Sequence, residues 1–342
     1  MLQISIDANL AETKVTDIKK EISVTNVAKQ EYIEFCKKER LPLFLQPWWL
    51  EVACKHSNLE WDVILYKKGG HIWGAFVYTY KIIYGFKKIT MPYLTPYLGP
   101  YIKYPPNQRE SKRLSWEKEV MSFFIDNLPK FDDLILDFTP QVTNWLPFLW
   151  RGFKQTTHYT YVIEDLSNID EVYNNFEPMA RNNIKKAKKA GVEVIESRDL
   201  EQFFKINRIT FDMQNVTVDY DEEFLRDLYN GAKGRVKMLF AKRDDEILSV
   251  ALAFWDDTTL YMLAAGSNRH INTYRAEYLL FWEMMQFASK EGLSFDFEGS
   301  IIEGVERRNR AFGAIQKPYF QITKTPSKIV RLKNYIWDLV RC

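Results

Sequence analysis

Residues Ser294–Ala314 read SFDFEGSIIEGVERRNRAFGA. Phe295-Asp296-Phe297 has the period of a strand, which sets Phe295 and Phe297 on one face and Asp296 and Glu298 on the other. Glu298-Gly299-Ser300 breaks the pattern where a glycine permits a tight turn. Glu306, Arg307, Arg308, Asn309 and Arg310 follow, and Gly313 ends the segment. Strand-end acids, a glycine turn and clustered arginines predict the wall of an active site, because group transfer wants carboxylates and cationic donors on a rigid edge. Asp296 is expected to pair with Arg307 or Arg308, which leaves Glu298 as the candidate base.

Outward from this wall, strands and helices alternate. Trp61–Lys67 and His71–Lys81 read as a hairpin turned by Lys68-Gly69-Gly70. Val236–Lys242, Leu248–Trp255 and Thr259–Ala265 read as a meander with Asp244-Asp245 and Asp256-Asp257 at its turns. Helices are predicted over 107–127, Met179–Ala190, Leu200–Met213, Glu222–Tyr229 and Thr273–Lys290, and an edge strand at Glu21–Thr25. Between them, Met91–Tyr101 is rich in proline and tyrosine and reads either as a structured loop over a cleft or as a lid on the core. Leu136-Asp137-Phe138 parallels Phe295-Asp296-Phe297, and each follows a hairpin and a long helix and precedes a short helix and a glycine. That order predicts a duplicated α/β (α+β) unit, each copy a mixed sheet flanked by helices. The expected divisions are a tail over 1–27, domains over 28–158 and 159–325, and an amphipathic helix over 326–342.

Composition bounds the function. With 47 basic against 45 acidic residues in 342, the chain as a whole is not a polyanion binder, so DNA is not an expected partner and any basic site is local. Three cysteines without metal-ligand spacing and four scattered histidines predict no metal. The opening MLQISIDANLAETK lacks the basic start and apolar run of a leader, and a cytoplasmic location is expected. Walker, dinucleotide-binding, GxSxG and HExxH motifs are absent from the sequence.

Met179–Gly191 holds five basic residues and no acid, with Arg181, Lys185 and Lys188 on one helical face. That face suits phosphate, or is a solvated surface. Ala265-Gly266-Ser267-Asn268 leads through Arg269–Asn272 into a long helix whose start favours an anion, with Ser267, Asn268 and Arg275 as candidate donor contacts. Tyr274 or Tyr278 is the candidate acid. In the last helix Ile329, Leu332, Ile336 and Leu339 stand beside Lys328, Arg331, Lys333 and Arg341. Residues 327–341 therefore read as packing on the second domain, or as peripheral contact with an anionic membrane.

Asn182–Gly191, Phe297-Glu298-Gly299-Ser300, Gly304-Val305-Glu306-Arg307 and Phe312-Gly313-Ala314 resemble the GNAT-like acyltransferases, and more closely their FemAB and BioF-like acetyltransferase branch. Gln46-Pro47-Trp48-Trp49-Leu50 looks like that branch's opening motif, and the likeness spans roughly residues 30–325. It implies two GNAT-like domains and transfer of an acyl or aminoacyl group to an amine. No permanently bound cofactor is implied; acyl-CoA or aminoacyl-tRNA would be the co-substrate. The acceptor would be a small molecule or a lipid- or nucleotide-linked amine of the cell envelope, such as a peptidoglycan precursor, held between the domains. The expected contacts are Glu298 and Tyr278 for catalysis, with Arg181, Lys185, Arg307, Arg308, Ser300 and Trp49 for substrate. Two family features are missing: a coiled-coil arm of the kind associated with tRNA, and the acetyl-CoA loop Q/R-x-x-G-x-G/A, which Ser267–Ala276 does not contain. A Fem-like tRNA-dependent ligase and a non-catalytic nucleotide-sugar-binding module are the alternative readings.

Overall fold

A computed structural model describes residues 27–213, 219–299 and 302–341. The edge strand expected at Glu21–Thr25 and the candidate Ser300 lie outside them. The first half runs through α1 (27–36), a 3-10 turn (Leu43–Leu45), α2 (Pro47–Ser57), β1 (Glu60–Lys68), β2 (His71–Ile83), β3 (Phe86–Ile89), β4 (Gly99–Ile102), α3 (Glu110–Asp126), β5 (Asp133–Asp137), α4 (Leu146–Leu149) and β6 (Lys154–Ile163). The second half runs through α5 (Ile169–Asn174), α6 (Pro178–Lys189), β7 (Glu193–Glu196), α7 (Leu200–Met213), α8 (Glu222–Gly231), β8 (Val236–Arg243), β9 (Glu246–Trp255), β10 (Thr259–Ser267), α9 (Ala276–Lys290), β11 (Ser294–Asp296), α10 (Glu303–Ala311), β12 (Ile315–Lys324) and α11 (Lys328–Arg341).

Both predicted hairpins form, because their turns hold residues that accept positive φ: Gly69 and Gly70 in one, Asp244 in the other. β3 and β4 were not expected. Each is four residues long, beside or within the proline-rich stretch, and is recruited by pairing to β2.

The strands join in one mixed sheet, ordered β1-β2-β3-β5-β12-β6-β11-β10-β9-β8-β7, with β4 added to β2. Its middle carries an exchange. β6, which ends the first half, pairs with β11 of the second, while β12, which ends the second half, pairs with β5 of the first. The two crossing strands lie antiparallel to each other, with Tyr319 opposite His158. The two strand-end acids, Asp137 and Asp296, therefore flank the same pair of strands.

Among the described residues three hydrophobic cores hold this frame. One packs β1, β2, β5 and α3, with Phe76, Val120, Phe124, Leu136 and Phe138 fully buried. Another packs α6 and α9 on one face of the second half, including Ile184, Leu280, Phe295, Phe297 and Phe312. The third packs α2, α7 and α8 on the opposite face. Trp49 belongs to this third core: it is fully buried, sits edge-on to Phe44 and Phe254, and donates its indole N–H to the Thr95 hydroxyl at 2.9 Å. The substrate contact expected of Trp49 is corrected here, since a side chain closed off from the surface packs and does not bind.

Candidate active site

The site is built where β11 stops. Asp296 is buried and accepts hydrogen bonds from the Thr160 hydroxyl on β6 and from the backbone N–H of Glu298 at 2.9 Å. The second bond closes a turn from residue 296 to 298. It holds Glu298 at a φ of 60°, a left-handed conformation that is costly for a residue with a Cβ. Glu298 Oε1 is buried and has no hydrogen-bond partner among the described residues. Desolvation, with the Asp296 charge added, holds the Glu298 carboxyl well above the usual carboxylate range. Burial pushes Asp296 up to about 6, against the lowering effect of its two hydrogen bonds.

The expected pairing of Asp296 with Arg307 or Arg308 does not form. Arg307 is exposed on α10. Arg308 lies over the Phe281 ring at 4.6 Å and donates from Nε and Nη2 to Asn309 Oδ1 at 3.3 and 3.1 Å. Among the described residues Asp296 and Glu298 are therefore left without a cation to offset the burial that raises both carboxyls.

Three tyrosines face them. Tyr97 comes from the proline-rich stretch, Tyr261 from β10 and Tyr319 from β12, and both carboxylates help burial raise all three phenols. They are proton donors at neutral pH. Tyr261 spends its hydroxyl on Asp256 Oδ2 at 3.1 Å. The Tyr97 hydroxyl is buried beside the Thr160 hydroxyl, whose hydrogen bond works against the rise in its pKa, and its ring sits edge-on to Tyr319 at 5.1 Å. Beyond Tyr319, His158 packs edge-on at 5.5 Å, with Nδ1 3.7 Å from Asp137. Asp137 also accepts from Gln321 at 3.1 Å, and burial raises its carboxyl too.

A cleft of about 550 Å³ opens beside Asp296, which lines it with Tyr97, Thr139, Val162 and Tyr261 among others, while Glu298 lies behind Asp296 and does not line it. Its residues come from both halves. Lys317 also lines it but is paired with Glu164 at 2.8 Å. The Met91–Tyr101 stretch thus serves both of its expected roles: Leu98 is core, while Tyr97 walls the cleft.

The Asp296 shift makes a stability prediction. Its folded value, about 6, lies above the ordinary 3.8, so the folded state binds the extra proton. Stability should then fall as pH rises between roughly 4 and 6 and level off for this group above that, by roughly 3 kcal/mol at 1.36 kcal/mol per unit. Asp296→Asn should flatten that segment in urea melts taken against pH. An unchanged slope would assign the titration elsewhere.

The remaining sequence candidates gather around the start of α9. Tyr278 stacks on Phe312, and its hydroxyl lies near Asn183, Glu277, Arg308 and Arg275, away from the two acids. Arg275 caps α9 at a φ of 62° and stands 3.9 Å from Glu277. Ser267 donates its N–H to Thr210 Oγ1 at 2.8 Å, and the buried Asn268 Oδ1 has no partner among the described residues. Two N–H groups at this helix start are already engaged, Ala276 with Asn272 Oδ1 and Tyr278 with the Arg275 carbonyl. On α6, Arg181 donates to the Asn174 and Phe176 carbonyls and closes the end of α5, while Lys185 is exposed. β10 and β11 pair in parallel only from Thr259 to Tyr261; β10 then bulges and runs on to Ser267 while β11 ends, so a wedge opens between them.

Residues 175–306, which span the wedge and the two acids, match the family model for an acetyltransferase (GNAT) domain. No curated protein matches the chain. Among solved structures, FemX is similar at a TM-score of 0.63 and 16% identity, covering 85% of this chain and 95% of FemX. The C-terminal domain of a putative lysylphosphatidylglycerol synthetase from Agrobacterium fabrum is similar at 0.50 and 11%, covering 86% and 92%. Residues 175–306 are thus similar to a GNAT acetyltransferase domain, and the chain as a whole has a tandem α/β architecture whose overall fold FemX shares.

Proposed function

We propose that the chain moves an acyl group, with acyl-CoA the favoured donor, onto the amine of a cell-envelope, peptidoglycan-precursor or nucleotide-sugar acceptor held in the cleft. The observation that carries this reading is Glu298: a strained carboxyl with a buried, unpartnered oxygen, raised in pKa, beside a second acid and with no cation among the described residues to offset them. An incoming ammonium supplies the missing positive charge. It lowers the Glu298 pKa, and the carboxylate then takes the proton as the amine attacks the thioester carbon. The tetrahedral oxyanion needs a hydrogen-bond donor, and the buried Tyr97 hydroxyl on the cleft wall is our candidate. Collapse expels the thiolate, which takes the second proton that the attacking nitrogen loses as the amide forms, and the first leaves Glu298 for solvent. In this reading the donor lies in the wedge between β10 and β11, with its phosphates toward Arg275, Ser267 and Asn268.

One observation favours an aminoacyl-tRNA donor: Lys185, Lys186, Lys188 and Lys189 of α6 are all exposed, so this edge could track a phosphate backbone. Thermal shift separates the readings. Acetyl-CoA or a longer acyl-CoA at 100 times its dissociation constant should stabilise the protein by about 2.7 kcal/mol. Stabilisation by a UDP-linked precursor alone, with tRNA binding that weakens steeply in salt, would move the donor to tRNA. Tight nucleotide-sugar binding without transfer from any donor would make the chain a binding module.

A further inference from the structure

The helix α11 does not pack as expected. None of its described side chains enters any of the three cores, and Ile329, Leu332 and Ile336 are 66%, 61% and 53% exposed. Spacings of three and four residues place these side chains, with Tyr335 at the edge, in one outward stripe. Lys328 and Lys333 flank the stripe, and the helix carries four basic residues against one acid. A soluble surface has no use for such a stripe, whereas an anionic interface satisfies both of its parts.

The root of α11 adds a second, independent apolar group. Ser327 donates to the Asp132 carbonyl, and Thr325 Oγ1 bonds Asp133 at 2.8 Å. Lys324 Nζ donates to the Arg151 carbonyl at 2.7 Å. Arg151 follows Trp150, which is exposed together with Leu146 and Leu149 and carries Lys118 over its ring at 5.1 Å. One end of the first half thus presents two apolar groups, each bordered by lysine or arginine.

We propose that this face, α11 with the Leu146–Trp150 corner, docks on the anionic lipid headgroups of a membrane. The stripe enters the headgroup boundary, and the flanking cations hold it there. No helix among the described residues is long and apolar enough to cross a membrane, so the attachment is peripheral. The charge component should give about fivefold in partitioning per basic residue near the surface and should weaken with salt.

The full-length protein sedimented with phosphatidylglycerol–phosphatidylcholine vesicles tests this. Binding at low ionic strength should fall at least tenfold on raising salt to about 0.5 M and should be weak on phosphatidylcholine alone. The triple variant Ile329→Asp, Leu332→Asp, Ile336→Asp should lose binding by at least about 100-fold with an unchanged melting temperature, since each fully buried apolar side chain contributes over tenfold. Lys328→Glu with Lys333→Glu should lose it in part, which guards against failure of the first variant to fold. Absence of binding to anionic vesicles at low salt overturns the proposal. So does equal binding to both vesicle types, or a dimer in solution that the triple variant converts to monomer, which would make the stripe a contact between copies.

Discussion

Glu298→Gln is expected to lower kcat by about 100- to 10,000-fold, the span of a general base, with little change in the apparent affinity for the donor. The substitution keeps the volume and the left-handed backbone but removes the carboxyl proposed to take the amine's proton. Its effect on stability should run the other way. Glu298 has a buried oxygen without a partner among the described residues and sits beside Asp296, so its ionised form destabilises the fold. A folded pKa raised above the ordinary 4.5 means stability is lost as pH rises toward that folded value. The Glu298→Gln variant should therefore melt at or above the wild-type temperature at pH 8 while being nearly inactive. It should also lose the rise of kcat/KM with pH that the paired carboxyls impose. Because the two acids interact, that rise belongs to the pair and not to one residue. Wild-type turnover in the Glu298→Gln variant would remove the catalytic role from this carboxyl. Loss of activity together with a lower melting temperature would instead mean that the carboxyl supports the fold.

Glu298 is legible in the sequence because its signal is local: an acid just past a strand end, followed by glycine. Tyr97 is not. Its hydroxyl is buried within the field of the acids from a stretch about 200 residues earlier, and nothing within Met91–Tyr101 says which tyrosine faces in. Tyr278 is a candidate acid in the sequence, whereas the helix turns its hydroxyl toward Asn183 and the arginines. The repeat is readable for the same local reason as Glu298, since hairpin, helix, strand and glycine recur in order. The exchange of β6 and β12 is not, because a strand's alternation is the same whichever neighbour it pairs with. Yet the exchange makes the site: it sets Thr160 against Asp296, and packs His158 edge-on against Tyr319 beside Asp137. Asp296 shows the same limit in reverse. Arg307 and Arg308 are close in sequence, but α10 carries one to solvent and the other onto Phe281.

The exchange also dictates the residue after Glu298. The chain leaving β11 crosses β6 so closely that a Cβ on Gly299 would sit 2.2 Å from the Tyr159 carbonyl oxygen and 3.3 Å from the Tyr319 hydroxyl. The first obstacle is backbone in a paired strand and cannot swing aside. Gly299→Ala must then push residues 297–299 off β6. Overpacking of this kind costs about 2 kcal/mol, or about 3 °C for a chain of this length. The catalytic loss should be larger, about 100-fold in kcat, because a shift of about 1 Å in a positioned base is worth that much. Gly304→Ala is the control, since a Cβ there meets nothing within 4 Å. That variant should keep both activity and melting temperature. If Gly299→Ala also kept both, the crossing would be loose and the strained placement of Glu298 would need another cause. If it melted early but turned over normally, the close approach would serve the fold alone. A large fall in kcat with only a small fall in stability is what a base held against the exchanged strand requires.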